Sequence, residues 1–587
     1  MRMAGVPERS FRKYASGLVR LGYRVGRVEQ METGIAAAQR KEESGSKTSI
    51  CAREMCQILT RGTLVEEDML EGPDANVLLI VHEESDRRFG ICLAECSSGE
   101  FWLGQFDDDS NYTHLETVLL RHRPREVVWP KDSAGLPMLS KPALKLIKGL
   151  LPNASFVALT HETEFWSAER TKTETFTCGC FDRDAGGSVQ LPPVLSRVMA
   201  DPSSSAAARA WGGTLSYLRS LLLESEVVPG SAVMDYCEYA RPRFMQLDGH
   251  TLSNLELLRR PDAFLSAKSD SNGSLLSVID NTCTAMGRRL LHQWICSPLA
   301  ERGAILQRQS AVSFFARNHD ALSALSRVLR PLPDLERAIV RLQAQARKKS
   351  HGVMFDDATA REVQGLVAIV DAFYSLATAC TAVKQHLQSH NAPSLVGVCI
   401  PPTLDSTLAA FVSQFNLKRA RSDSTVAPEP GVNPEYDASA EALDGVVAEL
   451  NDHLEEVKRS TKCRDVEFYS AAHGKEPFQL EFPAQWIDRN GAPASMTIMS
   501  QTKTVKRYWD TRTKTLVQRY RIAHEAVESA QQGTVRALMA KLSDACAPMK
   551  AAVAALAHLD CLMSLSHTQV HTLYIYIYTY IACAACR

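Results

Sequence analysis

Residues 438–458 read ASAEALDGVVAELNDHLEEVK, residues 478–482 read FQLEF, residues 496–499 read MTIM, and residues 511–521 read TRTKTLVQRYR. The first run has the helical period, with many acids on one face. Between it and Thr511 the period shortens to two. Asp465–Ser470 and Phe478–Phe482 alternate, and Met496–Met499 can pair with them. Turn residues such as His473-Gly474 and Asn490-Gly491 separate these runs. From Thr511 the helical period returns and continues towards Ser566. A helix going out, a β-rich tip and a helix coming back make an arm with a distal module.

Working towards the N-terminus, the chain is helical back to about residue 205. Ala206–Glu226, Ser253–Arg259, Met286–Ile295, Arg302–Asn318, Asp320–Leu329, Asp334–Arg347 and Ala358–His390 all carry apolar residues at i, i+3 and i+4. Pro401–Pro402 interrupts this region, and Lys418–Pro434 reads as a polar loop. Residues 75–195 have a different pattern. Strands are expected at Val77–Val81, Phe89–Glu95 and Glu100–Phe106, the last two joined by a turn at Ser97-Ser98-Gly99. A helix at Leu115–Arg123 and a strand at Glu126–Trp129, closed by Pro130, complete a mixed sheet with helices. At the start, Phe11, Tyr14, Leu18 and Leu21 predict a helix ended by Gly22, then a strand at Tyr23–Glu29. Residues 31–50 read as a polar loop and Arg53–Thr60 as a short element. One helix and one strand cannot bury a core, so a partner sheet is expected before Met1.

The chain has 587 residues, 45% hydrophobic and 23% charged, with net charge −1. That suits several globular domains and gives no overall basic signal, so any nucleic-acid site must be a local patch. The 16 Cys are scattered, which favours reduced thiols over a disulfide framework. No run comes near the ~20 apolar residues that span a bilayer, so no membrane partner is expected. The tail 567–587, with Tyr574-Ile575-Tyr576-Ile577-Tyr578, reads as low complexity and is left out of the expected fold.

Several stretches together resemble one family. They are Ala4–Phe11 (AGVPERSF), Leu21–Gln30 (LGYRVGRVEQ), Gly99–Asp108 (GEFWLGQFDD), Leu255-Glu256, Gly273–Leu276 (GSLL), Asp280–Pro298 (DNTCTAMGRRLLHQWICSP), Pro333–Arg337 (PDLER) and Lys506–Trp509 (KRYW). Their order and spacing resemble the MutS DNA mismatch-repair family, and within it the mismatch-binding subunit of the eukaryotic MutS-alpha heterodimer. The resemblance implies an α+β multidomain fold. Residues 1–60 would be the end of a mismatch-binding domain, and 65–195 an RNase-H-like connector. Residues 205–437 would be core and outgoing lever helices, 438–525 a β-rich clamp between long helices, and 526–566 the returning lever. It further implies double-stranded DNA and a second MutS homologue as partners, a nuclear location, and ATP and Mg as cofactors of the full-length family.

Two motifs of that family are not found. The Phe-x-Glu element that stacks on a mismatch would precede Met1; Glu467-Phe468-Tyr469 has the wrong order. The P-loop is also missing. Gly45-Ser46-Lys47-Thr48 lacks a glycine five positions before Gly45, and no strand is expected to enter it. The chain as written is therefore expected to hold no cofactor and hydrolyse no ATP. It is read either as part of a longer DNA-binding ATPase or as an ATPase-less binding or regulatory protein.

The best local patch is Gln501–Arg521, where Lys503, Lys506, Arg507, Arg512, Lys514, Arg519 and Arg521 face Asp510 alone. Such cations release counterions from DNA phosphates, and Lys503, Lys506, Arg507, Arg512 and Lys514 are the expected contacts. A solvated basic face is the competing reading. Asp107-Asp108-Asp109 reads as an acidic loop rather than a two-metal site. Cys178-Gly179-Cys180 and Cys92-x3-Cys96 lack the four spaced ligands of a structural zinc site. In Asp280–Pro298 and PDLER no nucleophile–base pair is present. The first reads as a core helix, and in the second Asp334 is a helix cap.

Overall fold

The structure is a computed structural model that describes residues 5–7, 10–32, 37, 40, 50–70, 72–84, 87–184, 186–237, 243–260, 273–347, 356–390, 404–413, 415–423, 431, 433–469, 477–491 and 496–585. Of residues 569–585 only the backbone is described. Gly45–Thr48, Pro401–Pro402 and His473-Gly474 lie outside the described residues.

The chain opens with α1 (Phe11–Arg20), followed by β1 (Val25–Gln30) paired antiparallel with β2 (Arg53–Leu59). The α1 helix forms as expected, but beyond Phe11 its apolar stripe faces outward. Tyr14, Leu18 and Leu21 are exposed, while Ala15 and Val19 pack on Leu59, Leu64, Met69 and Leu70. Periodicity finds a helix; it does not say which face meets the neighbours.

Next comes a mixed six-stranded sheet. Its strands are β3 (Leu78–Glu83), β4 (Arg88–Glu95), β5 (Glu100–Asp107), β6 (Glu126–Lys131), β7 (Ser155–Thr160) and β8 (Ala232–Asp235), in the order β7-β6-β3-β4-β5-β8. β3, β4 and β5 form an antiparallel meander, closed at Gly99 with φ +68°; β6 and β7 run parallel to β3. Between β5 and β6 lies α2 (Thr113–His122). Pro130 does not close its strand. The β3–β6 pairing ends at Val128, so proline's missing N–H costs that ladder nothing.

The helix expected to open the all-α region, α3 (Ser205–Ser220), belongs to this sheet instead. Trp211 packs edge-on against Phe101, and β8 then pairs parallel with β5. The expected boundary between residues 195 and 205 thus cuts through a packed unit. Gly90 explains how close α3 lies. A Cβ there would meet the Ala206 carbonyl oxygen at 1.9 Å, and backbone cannot swing away. Gly90→Ala is expected to destabilise the chain by about 2–3 kcal/mol, read as a lower thermal midpoint. An unchanged midpoint would contradict this packing.

The helical region contains α4 (Ala285–Cys296), α5 (Arg302–Arg317), α6 (His319–Leu329), α7 (Leu335–Arg347) and α8 (Asp356–Ser389). The arm follows as α9 (Pro434–Thr461), β9 (Glu467–Tyr469), β10 (Gln479–Pro483), α10 (Ala484–Asn490), β11 (Thr497–Gln501) and β12 (Val505–Trp509). It returns along α11 (Thr511–Asp544) and α12 (Cys546–Ala585). One apolar core unites α4 to α8 with α11 and α12, with Phe315, Leu325, Leu335 and Phe373 packed among Leu538, Leu542, Met549 and Leu556. Three expectations are corrected. A helix at Leu417–Asp423 occupies the start of the expected 418–434 loop. The backbone of α12 runs on through the tail 567–587 as far as Ala585, since nothing there breaks a helix. Two helical stretches, Glu362–Ser389 and Cys546–Thr568, are long and apolar enough to cross a membrane, contrary to the reading that no run comes near that length. Both contribute to the common helical core, which accounts for their apolar composition.

Candidate nucleic-acid interface

The arm's tip is a four-stranded sheet in the order β11-β12-β10-β9, with all its pairs antiparallel. Alternation along β10 and β12 puts Leu480, Phe482 and Tyr508 on one face, packed with Val457, Cys463, Val466 and Ile487. Asn490-Gly491, expected as turn residues between the runs, stands at the end of α10, with Gly491 at φ +80°.

Behind the sheet, α9 and α11 run side by side around Val446, Leu450 and Leu516. Asp510 joins the parts. Its carboxylate caps α11 through the Thr513 N–H at 2.6 Å and lies 2.9 Å from His453 Nε2 on α9. Burial acts to raise the Asp510 carboxyl, but those two partners outweigh it and hold it below the usual range.

The structure separates the cations that the sequence grouped together. Arg507 is an internal strut. Its guanidinium donates to Glu481 at 2.7 Å and stacks 3.6 Å from the Tyr469 ring centroid. Lys506 donates to Asp488 at 2.6 Å, which raises its pKa. Arg512 pairs with Glu456 at 2.6 Å, and Arg519 grips Glu449 with both nitrogens. These acids are the face of α9 seen in the sequence. Residues 434–525 carry 13 Lys/Arg against 15 Asp/Glu, so this stretch of the arm has no net basic charge. Lys503 is exposed in the β11–β12 turn. Lys514, also exposed, donates to the Thr497 hydroxyl at 3.3 Å.

Strand register shows what gathers at the free end. Pro483 pairs with Val505 and Glu467 with Glu481, so the 502–504 turn and the 462–466 connection lie at one end of the sheet, away from Asp510. Lys462 and Arg464 are exposed there, as is Lys503. The sequence carries the signal in Lys458, Arg459, Lys462 and Arg464, four cations in seven residues, but reading only 501–521 misses it.

The remaining chemistry candidates have structural roles. Asp108 accepts from the His114 and Leu115 N–H groups and Asp109 from Thr113, so this acidic run caps α2. Cys178, Cys180 and Glu224 do place ligand atoms within 4.8 Å of one another. Yet both Glu224 oxygens are held by Arg219, at 2.7 and 2.8 Å. Asp334 caps α7 only weakly, at 3.3 Å from the Arg337 N–H. Its stronger partner is Arg289, which capping alone did not anticipate.

Comparison with known families matches MutS domain I to residues 1–68, MutS domain II to 76–229 and MutS domain III to 250–566. The chain belongs to the MutS family. Among curated relatives it is similar to the DNA mismatch repair protein MSH6 of Arabidopsis thaliana, 28% identical over 96% of this chain and 44% of the relative. The human DNA mismatch repair protein Msh6 is 27% identical over 87% of the chain and 41% of the relative. A bacterial DNA mismatch repair protein MutS, from Wolbachia pipientis wMel, is 31% identical over 58% of the chain and 35% of the relative. The chain thus spans less than half the length of these MutS-family relatives.

Proposed function

We propose that this chain supplies connector, core, lever and clamp parts of a MutS-type protein that closes around mismatched duplex DNA. On this reading the four-stranded tip is the clamp and touches the phosphate backbone. The observation that supports it is the exposed cation group at the free end of the sheet, on a MutS-family arm. Of the five cations expected from sequence, Lys503 and Lys514 are the better placed, because neither is engaged by a carboxylate among the described residues. Lys506, Arg507 and Arg512 must first leave an acid, and Arg507 holds the sheet together. Lys462 and Arg464 join the proposed contact set.

In the full-length protein this role includes ATP and magnesium dependence, pairing with a second MutS homologue and work in the nucleus. The described residues contribute no glycine-rich phosphate loop between a strand and a helix, so no nucleotide step is assigned to them.

Binding of the 587-residue chain to duplex DNA tests this across a salt series. Each phosphate contact adds about 0.9 to the magnitude of the log–log slope. A Lys462/Arg464/Lys503 triple alanine variant is expected to flatten that slope by about 2–3. Lys506→Ala is expected to change it by less than one. If the triple variant keeps the parent slope, this surface does not carry the contact.

A further inference from the structure

The helix Ala168–Thr177 is followed by Cys178, and the chain then turns through Gly179 to Cys180. Gly179 has φ +72°, a left-handed conformation that residues with a Cβ rarely adopt. The turn keeps the two sulfurs close. Cys178 Sγ, Cys180 Sγ and a Glu224 carboxylate oxygen lie within 4.8 Å of one another. The Cys180 N–H donates to Cys178 Sγ at 3.4 Å. As a thiol, Cys178 donates to the Thr175 carbonyl at 3.3 Å.

The two thiols are unequal. Cys178 is half-buried, whereas Cys180 is buried, with its sulfur 3.9 Å from the Glu224 carbonyl oxygen. Hydrogen bonds from the Cys180 thiol and N–H, helped by Arg219, hold Cys178 below the usual thiol range against burial and Glu224. The same thiol pairing, then burial, pushes Cys180 above that range. A structural metal would lack ligands here. Arg219 holds both Glu224 oxygens, at 2.7 and 2.8 Å, which leaves only the two sulfurs. One sulfur is partly open and readily ionised, and the other lies close behind it. That is the arrangement of an attacking and a resolving cysteine.

We propose that Cys178 and Cys180 form a reversible dithiol–disulfide site, oxidised by a low-molecular-weight disulfide. The Cys178 thiolate, its proton lost to water, attacks one sulfur of that disulfide, forms a mixed disulfide and expels a small thiolate. Cys178 then carries no charge, so Cys180 ionises more readily. Its thiolate attacks Cys178 Sγ, closes the Cys178–Cys180 bond and expels the second small thiolate. In balance, the two cysteines lose two electrons and two protons, and the small disulfide becomes two thiols. Excess small thiol runs the same steps backwards.

Mass spectrometry of the 587-residue chain, held in mixtures of reduced and oxidised glutathione, tests this. Free thiols are blocked before the chain is unfolded and digested with trypsin. Residues 173–183 (TETFTCGCFDR) form one tryptic peptide that holds just these two of the 16 Cys. As the oxidised share rises, this peptide is expected to change from doubly blocked to unblocked and two hydrogens lighter. Dithiothreitol added before blocking is expected to restore it. Cys180→Ser should instead keep a lasting glutathione adduct on Cys178, because nothing resolves it, while Cys178→Ser should leave Cys180 almost unmodified. In the reduced parent at neutral pH, iodoacetamide should alkylate Cys178 about tenfold faster than the half-buried Cys51 and Cys283. The proposal is overturned if the parent peptide never acquires the internal bond, or gathers glutathione on both cysteines without closing it. It also fails if Cys180 reacts at the parent rate in Cys178→Ser, or if Cys178 is alkylated no faster than Cys51 and Cys283. The parent measurements decide the matter even where a serine variant does not fold.

Discussion

Arg289→Ala is expected to cost about 3–5 kcal/mol, because it strips the close cation from Asp334 and Glu336 and leaves Asp334 with the more distant Arg337, at 3.5 Å. The Arg289 side chain is 10% exposed and donates to Asp334 at 2.7 and 2.8 Å and to Glu336 at 2.6 and 2.9 Å. A fifth bond, 3.0 Å to the Pro73 carbonyl, reaches the segment that leads into β3. Arg337, 3% exposed, reinforces this with bonds to the Gly72 and Asp74 carbonyls at 2.9 and 2.8 Å. The pair therefore sets how the sheet unit sits on the helical core. Arg289→Lys keeps the charge but not the planar fork, and should fall between parent and alanine variant. Thermal melting with limited proteolysis around residues 70–76 reads both effects. Parent-like melting of the alanine variant would mean that the network contributes little.

The second large effect concerns Asp560 on α12. Its buried carboxylate accepts from the Cys283 and Thr284 N–H groups, both at 2.8 Å, and from the Thr284 hydroxyl at 2.7 Å. These groups stand at the entrance of α4, whose N-cap is Thr284. Asp560→Ala strands them, at an expected cost of about 3–4 kcal/mol. Gly287 makes the approach possible, since a Cβ there would lie 2.2 Å from Asp560 Oδ2. Gly287→Ala is therefore expected to be costly alone, by about 3 kcal/mol, but much cheaper once Asp560 is alanine. A double-mutant cycle by urea denaturation measures this coupling. Strict additivity would show that the two positions do not share the space. The interaction fastens α12 to a helix more than 270 residues earlier in the chain.

The sequence showed the elements well where one physical signal dominates. Apolar runs of strand length found β4 and β5, alternation found β10, and helical period found α4 to α8 and the two arm helices. The order of family stretches, from AGVPERSF to KRYW, was enough for the MutS resemblance that the domain comparisons bear out. It was less informative wherever the partner was remote. GRRL at 287–290 reads as a helix start, but nothing nearby announces that Gly287 makes room for Asp560 or that Arg289 will meet Asp334 and Glu336.

The same division holds for the candidate interface. By itself the sequence determined an arm with a β-rich tip and a cation-rich return, because period and composition are local properties. Only the tertiary structure decided which cations stay available. Glu449 and Glu456 cross from α9 to hold Arg519 and Arg512, while Glu481 and Asp488 hold Arg507 and Lys506. Strand register then carries Lys462, Arg464 and Lys503 to the same free end. Charge pairing depends on distances of a few ångströms between residues far apart in the chain, and only folding sets those distances.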